Sequence, residues 1–132
     1  MRGLDTNVLL RYLAADDAKQ LAAAGSIVHQ ARMDREPLFV PAVVLCEVAW
    51  GLRSVYALPK SVIVETLESL LGTFGFEFEH HQAALLALES FRNGPGDYSD
   101  YLIGEVGLSA GCRDIVTFNR ALRRAEGFHV LS

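Results

Sequence analysis

The chain predicts an α/β fold, a mainly parallel sheet sandwiched between helices. Three observations carry that prediction. Short apolar runs of strand character alternate with longer stretches of helical periodicity, and strands separated by helices require crossover connections, which make neighbours parallel. Acidic residues recur where a strand gives way to a helix, the edge at which open α/β sheets bind ligands. About half of the 132 residues are hydrophobic, yet no apolar run approaches the ~20 residues that would span a bilayer, so the apolar content belongs to a core.

The elements follow in order. Arg2-Gly3-Leu4 leads straight into amphipathic Val8-Leu9-Leu10-Arg11-Tyr12-Leu13, so Asp5-Thr6-Asn7 occupies a strand-to-helix junction. Asp16-Asp17 opens a helix running through Ala18-Lys19-Gln20-Leu21 to about Met33, with acids at the positive end of its dipole. Leu38-Phe39-Val40 reads as a short buried strand, and Pro41 suits the first turn of a helix carrying Val43 to Leu52. Pro59 starts another helix with the stripe Val62, Ile63, Leu67, Leu70 and Leu71. Phe74 to Phe78 is a candidate strand, and a helix follows from about His81 to Phe91. Asn93-Gly94-Pro95-Gly96 is a strong break. A helix then runs from Ser99 to about Gly111, Ile115-Val116-Thr117 forms a strand, Arg120 to Ala125 is helical, and His129-Val130-Leu131 is a last strand.

No repeat, low-complexity tract or long linker divides the chain, so one domain over residues 1–132 is expected. The N-terminus lacks a basic and then apolar signal pattern. Cys46 and Cys112 lie far apart, each in an apolar context with no CxxC or Cys/His grouping, which predicts buried free thiols in a reducing cytoplasm. The net charge of −4 argues against a generic nucleic-acid coat protein. An acidic protein can still act on nucleic acid where a cation bridges its carboxylates to phosphate.

Four acidic side chains stand out. Asp5 at its junction is placed either for chemistry or to cap the next helix. Glu47 shares its helix face with Val43, Trp50 and Gly51, with no Lys or Arg within three or four residues. Such a carboxylate reaches solvent, is neutralised, or finds a cation. Asp97 and Asp100 lie on one side of a beginning helical turn, close enough to share a divalent ion, although both also suit a cap and a first turn. Thr117-Phe118-Asn119 adds polar oxygens at a second strand exit, where Asn119 also suits a cap for the helix at Arg120. Gathered at one sheet edge, Asp5, Glu47, Asp97 and Asp100 would repel one another unless a cation neutralised them, and oxygen-only ligands favour Mg²⁺ or Mn²⁺.

Together, Asp5-Thr6-Asn7, Glu47 in its apolar helix, Asp97-Tyr98-Ser99-Asp100-Tyr101-Leu102-Ile103 and Val116-Thr117-Phe118-Asn119 resemble the ordered motifs of PIN-domain ribonucleases. In size and layout the chain is similar to the VapC-type toxins of bacterial toxin–antitoxin pairs. The resemblance implies a PIN-like three-layer α/β/α sandwich, RNA cleavage dependent on Mg²⁺ or Mn²⁺, a cognate VapB-type antitoxin and a homodimer. On that pattern Asp5, Glu47 and Asp100 are the central acidic residues and Asp97 an additional one. Asn119 stands where many members have Asp, and a neutral amide contributes no charge to a second metal. Thr6 and Thr117 match hydroxyl positions that hold carboxylates or water, with Asn7 beside them.

Other residues are less pointed. Adjacent His80 and His81 rarely converge on a metal, and His29 and His129 have no suitably spaced partner. Arg120, Arg123 and Arg124 make a basic face, either solvated or in contact with the RNA backbone, and Arg53 and Lys60 flank the Tyr56 loop as a second place for such contact. Trp50, Leu52, Leu67, Leu70 and Leu71 could be core, dimer surface or antitoxin groove, with core the default. Two other functions fit parts of the pattern. A haloacid-dehalogenase-like phosphatase would use the early Asp as nucleophile but wants a second Asp where Asn7 stands. A degenerate PIN module would bind RNA or protein without catalysis.

Overall fold

Residues 1–14 and 17–132 are described in the computed structural model, so Asp16, expected to open the second helix, lies outside the described residues. The chain divides into two compact units, Met1–His81 and Gln82–Ser132.

In the first unit, β1 (Arg2–Gly3), β2 (Leu38–Val40) and β3 (Phe76–Phe78) form a parallel sheet with β2 central. The registers pair Gly3 with Phe39 and Val40 with Phe78. Helices α1 (Thr6–Ala14), α2 (Ala18–Met33), α3 (Ala42–Ser54) and α4 (Lys60–Leu71) make the crossovers. Asp17 caps α2, its side chain accepting from the Gln20 backbone N–H at 3.0 Å. Pro41 and Pro59 sit one residue ahead of α3 and α4, as caps with no side-chain acceptor to offer. For α3 the missing acceptor comes from Glu79 at the exit of β3, whose Oε1 takes the Ala42 N–H at 2.9 Å.

The core of this unit is aliphatic. Leu9, Val40, Leu45, Val48, Leu52 and Leu67 are buried, and each such side chain contributes about 1.5–3 kcal/mol by leaving water. Helices α1 and α3 approach closely at Gly51, where an added Cβ would meet Leu10 Cδ1 at 2.9 Å. Leu67, Leu70 and Leu71 are core, as is Leu52, but Trp50 is 65% exposed, which corrects the default assignment for that residue. Trp50 is on the face of α3 that carries Val43 and Glu47, and that face is turned to solvent. Phe74, expected to begin a strand, is exposed and precedes it. Gly75 takes a left-handed φ of 95° and its carbonyl accepts from Leu38, so pairing begins at Phe76.

In the second unit α5 (His81–Asn93), whose first residue closes the other unit, and α6 (Tyr98–Ser109) are followed by a parallel pair, β4 (Ile115–Thr117) and β5 (Phe128–Val130). Tyr98 is buried, donates its hydroxyl to the Ala84 carbonyl at 2.9 Å and packs edge-on to Phe91. The Gly94–Gly96 break closes on Tyr101, whose hydroxyl accepts from the Gly96 N–H at 2.9 Å. The segment after β4 is shorter in helix than its sequence suggests: a 3₁₀ turn, Arg120–Leu122, replaces the helix expected to Ala125. Successive bonds from Leu122, Arg123 and Ala125 each reach back three residues, so the chain coils tightly until Gly127, at φ 85°, turns it into β5. Every paired strand in either unit is parallel, as the alternation of elements predicts. No helix among the described residues is long and apolar enough to cross a membrane.

Candidate functional site

Asp5 is exposed in the two-residue gap between β1 and α1, behind Leu4, whose N–H donates to the Phe39 carbonyl at 2.9 Å and so extends the ladder to the junction. Its Oδ1 accepts from the Val8 N–H at 3.1 Å, so Asp5 caps α1 whatever else it does. Thr6 then turns its hydroxyl across to α3 and donates to Glu47 Oε1 at 2.8 Å, a contact between residues 41 apart in the chain. One helical turn along each helix from this contact, Gly51 faces Leu10, and a Cβ there would oblige the Leu10 side chain to shift. Asn7 is exposed in the first turn of α1. Glu47 is exposed at mid-helix, flanked by Val43 and Trp50. The thiol of Cys46 beside it is raised above the ordinary cysteine value, by burial first and by the Glu47 charge second.

The second unit builds a different arrangement. Asp97 and Asp100 form a reciprocal capping box at the start of α6, in which the Asp97 N–H donates to Asp100 Oδ2 at 2.9 Å. The same Oδ2 lies 3.4 Å from Asn119 Nδ2. Asn119 is held on both sides: its N–H donates to Thr117 Oγ1 and its Oδ1 accepts from the Ala121 N–H, each at 3.0 Å. With the carbonyl oxygen committed to the 3₁₀ turn, the amide nitrogen is the end that meets Asp100. The cap reading and the contact with a carboxylate therefore hold together for Asn119.

The structure thus joins Asp5, Thr6 and Glu47 in one unit, and Asp97, Asp100, Thr117 and Asn119 in the other. In donor chemistry the set suits a hard divalent cation, since carboxylate, hydroxyl and amide oxygens are available and neither thiol nor imidazole is among them. Among the described residues no three Asp, Glu, His or Cys side chains form one group that could hold a metal ion, and each unit by itself carries two of the four carboxylates. His81 instead places Nε2 3.0 Å from the Leu71 carbonyl, while His80, His29 and His129 are exposed. Arg53 lies in the last turn of α3 and Lys60 opens α4, either side of Tyr56, whose hydroxyl accepts from Arg11. Arg120, Arg123 and Arg124 are exposed. Cys112 is exposed too, against the expectation of a buried thiol, because it follows the Gly111 turn at the end of α6 rather than facing the core. Two residues carry a signal that sequence reasoning passed over. Phe118 is 76% exposed between Thr117 and Asn119, and Arg113 lines one cleft of the second unit together with Arg120, Arg123 and Arg124. An aromatic between two polar residues at a strand exit was the available cue for the first.

The family model of the PIN domain matches residues 4–127, nearly the whole chain. The protein belongs to the PIN domain family. A VapC ribonuclease of Aquifex aeolicus (strain VF5) is 26% identical to it over 124 residues, which cover 94% of this chain and 91% of that protein. Membership in the PIN family leaves the haloacid-dehalogenase-like reading without support.

Proposed function

We propose that this chain is a divalent-metal-dependent endoribonuclease, the toxin of a VapBC-type pair, acting in the cytoplasm as one PIN-like domain over residues 1–132. The observation that carries the reading is the Thr6–Glu47 hydrogen bond. It fixes a mid-helix carboxylate, with no share in a cap or the core, beside the junction that carries Asp5. Family membership and the VapC ribonuclease relative support the same assignment.

The side chains proposed to hold Mg²⁺ or Mn²⁺ are Asp5 and Glu47 of the first unit and Asp97 and Asp100 of the second, with Asn119 as a neutral companion. When bound, such an ion supplies an activated water and stabilises the leaving oxygen of a phosphodiester. The protein's own part is orientation. Asp5 Oδ1, Glu47 Oε1 and Asp100 Oδ2 are the oxygens engaged by protein donors, which sets the direction of the opposite oxygen in each carboxylate. Thr6 does this through a hydroxyl and Asn119 through an amide, donors that add no charge to compete with a cation.

A VapB-type antitoxin would silence such a site most simply by placing an Arg or Lys among its carboxylates. The exposed Val43 and Trp50 on either side of Glu47 are the apolar surface for its C-terminal segment, whereas Leu52 is buried and belongs to the core. The chain is proposed to act as a homodimer.

A second reading, a non-catalytic PIN module, draws on Asn119, a neutral amide whose oxygen caps the 3₁₀ turn and whose nitrogen meets Asp100. Incubating the purified chain with RNA across a Mg²⁺ and Mn²⁺ titration separates the two. Cleavage that requires the ion and vanishes in EDTA is expected. Cleavage undiminished in EDTA refutes the metal mechanism, and RNA bound but never cut assigns the module reading.

A further inference from the structure

Two successive backbone N–H groups ahead of α6 are each taken by a side chain of its opening turn. The Asp97 N–H goes to Asp100 Oδ2, and the Gly96 N–H goes to the hydroxyl of the next residue, Tyr101. Gly96 is buried, and a buried N–H needs its acceptor. The Tyr101 ring also lies against the break it bonds to. A Cβ at Gly94 would strike its hydroxyl, and one at Gly96 would meet its Cζ at 3.1 Å. Leu122 closes in on the same point, since that Cβ at Gly96 would meet Leu122 Cδ2 at 2.8 Å. Leu122 is tied in turn to Asn119, whose carbonyl accepts its N–H at 3.1 Å in the 3₁₀ turn. Gly96 is thus held between the residue that follows Asp100 and a buried residue of the turn that Asn119 caps.

We infer that Tyr101 is a positioning residue for the acidic pair of the second unit. Through Gly96 it sets Asp100 Oδ2 against the Asn119 amide, and with it the direction in which the pair faces a cation. This role rests on the metal-dependent ribonuclease reading and deepens it with a buried clamp outside the proposed ligand set. The contact it serves is a sensitive one: 3.4 Å between Asn119 Nδ2 and Asp100 Oδ2 is the long end of a hydrogen bond, so a small shift of either segment breaks it. Tyr98 supplies an internal contrast. It is buried in the same helix, but its hydroxyl reaches the Ala84 carbonyl on α5 instead of the break.

The test compares Tyr101→Phe with Tyr98→Phe in the full chain, each variant losing one buried hydroxyl and keeping its ring. In EDTA, nuclear magnetic resonance reads exchange of the Gly96 amide and the position of the Asn119 side-chain resonances. Tyr101→Phe should speed that exchange about fivefold or more and move the Asn119 resonances, while Tyr98→Phe does neither. Calorimetry with Mn²⁺ alone should show affinity lowered about threefold to tenfold in Tyr101→Phe and within about twofold of the parent in Tyr98→Phe. Gly96→Ala, which pushes a methyl between Tyr101 and Leu122, should move the Asn119 resonances by a second route. Cleavage, scored separately, should lose kcat in Tyr101→Phe with KM for RNA unchanged. Unmoved Asn119 resonances in Tyr101→Phe overturn the clamp, and so do equal losses of Mn²⁺ affinity in the two tyrosine variants, which would make the effect a general loosening of α6. A parent chain that never cuts RNA, with the resonance shifts and Mn²⁺ losses as described, leaves the clamp standing and removes the ribonuclease reading. Cleavage by the parent with Mn²⁺ affinity untouched in Tyr101→Phe removes only the clamp.

Discussion

Glu47 of the first unit and the Asp97–Asp100 pair of the second are held by opposite means. In the first, Glu47 is reached across 41 residues by a single hydroxyl, and its own helix gains nothing from it. In the second, Asp97 and Asp100 are three residues apart and hold the start of α6 together, with one amide from Asn119 added from outside. A carboxylate held by a distant side chain depends on packing, here of α1 against α3. One held in a capping box depends on local sequence and stabilises the helix it starts. Loss of chemistry and loss of stability should therefore separate at Glu47 and coincide at Asp97 and Asp100.

The largest effect is expected for Asp5→Asn. Asn still caps α1 through its side-chain oxygen, so the fold should persist while metal-dependent RNA cleavage falls by at least the roughly 100-fold upper end known for partners outside the ligand shell. Full activity in this variant would break the assignment. Thr6→Val, which removes the donor to Glu47, should lower cleavage about 10–100-fold, and Thr6→Ser should recover most of it. Equal losses for Val and Ser would make the side chain's packing, not its hydroxyl, responsible.

Urea denaturation sharpens the contrast in stability. Asp97→Ala should cost about 1 kcal/mol through the lost cap, whereas Glu47→Gln should stay within about 0.5 kcal/mol of the parent. Similar costs at the two sites would dissolve the distinction between the units. Asn119→Asp places a carboxylate where an amide now donates to Asp100, adding like-charge repulsion without metal and a further ligand with it. The variant should be slightly less stable in EDTA and bind Mn²⁺ more tightly by calorimetry, and unchanged Mn²⁺ affinity would leave Asn119 as a cap alone. The smallest effect is chemical. Iodoacetamide should label exposed Cys112 before Cys46, whose thiol is half-buried and held protonated to higher pH, with peptide mapping as the readout.

Much of the fold was legible because each element obeys a local rule. Leu38 to Val40 is a short apolar run ended by Pro41, and Asp17 precedes a helix it goes on to cap. The failures are places where tertiary context decides. Trp50 looks like core by composition, but the buried face of α3 is filled by Val44, Leu45, Val48 and Leu52. The run from Arg120 to Ala125 has helix-forming residues but must reach β5 within a few positions, so it tightens into a 3₁₀ turn. The candidate site was legible as residue types in order, not as contacts. No local pattern indicates that Thr6 meets Glu47, or that Asn119 turns its nitrogen toward Asp100, because both bonds depend on how distant segments pack.

The capping box also bears on how relatives of this chain can be sorted. A relative that does not cut RNA would still need α6 to begin where it does, so positions 97 and 100 stay under a folding constraint of their own. Glu47 has no such insurance: exposed at mid-helix, it can drift to Gln, Lys or Ala with little harm to folding. Among sequences of this layout, an intact Asp97-Asp100 pair is thus a marker of ancestry, and the residue at position 47 is the one to read for retained chemistry.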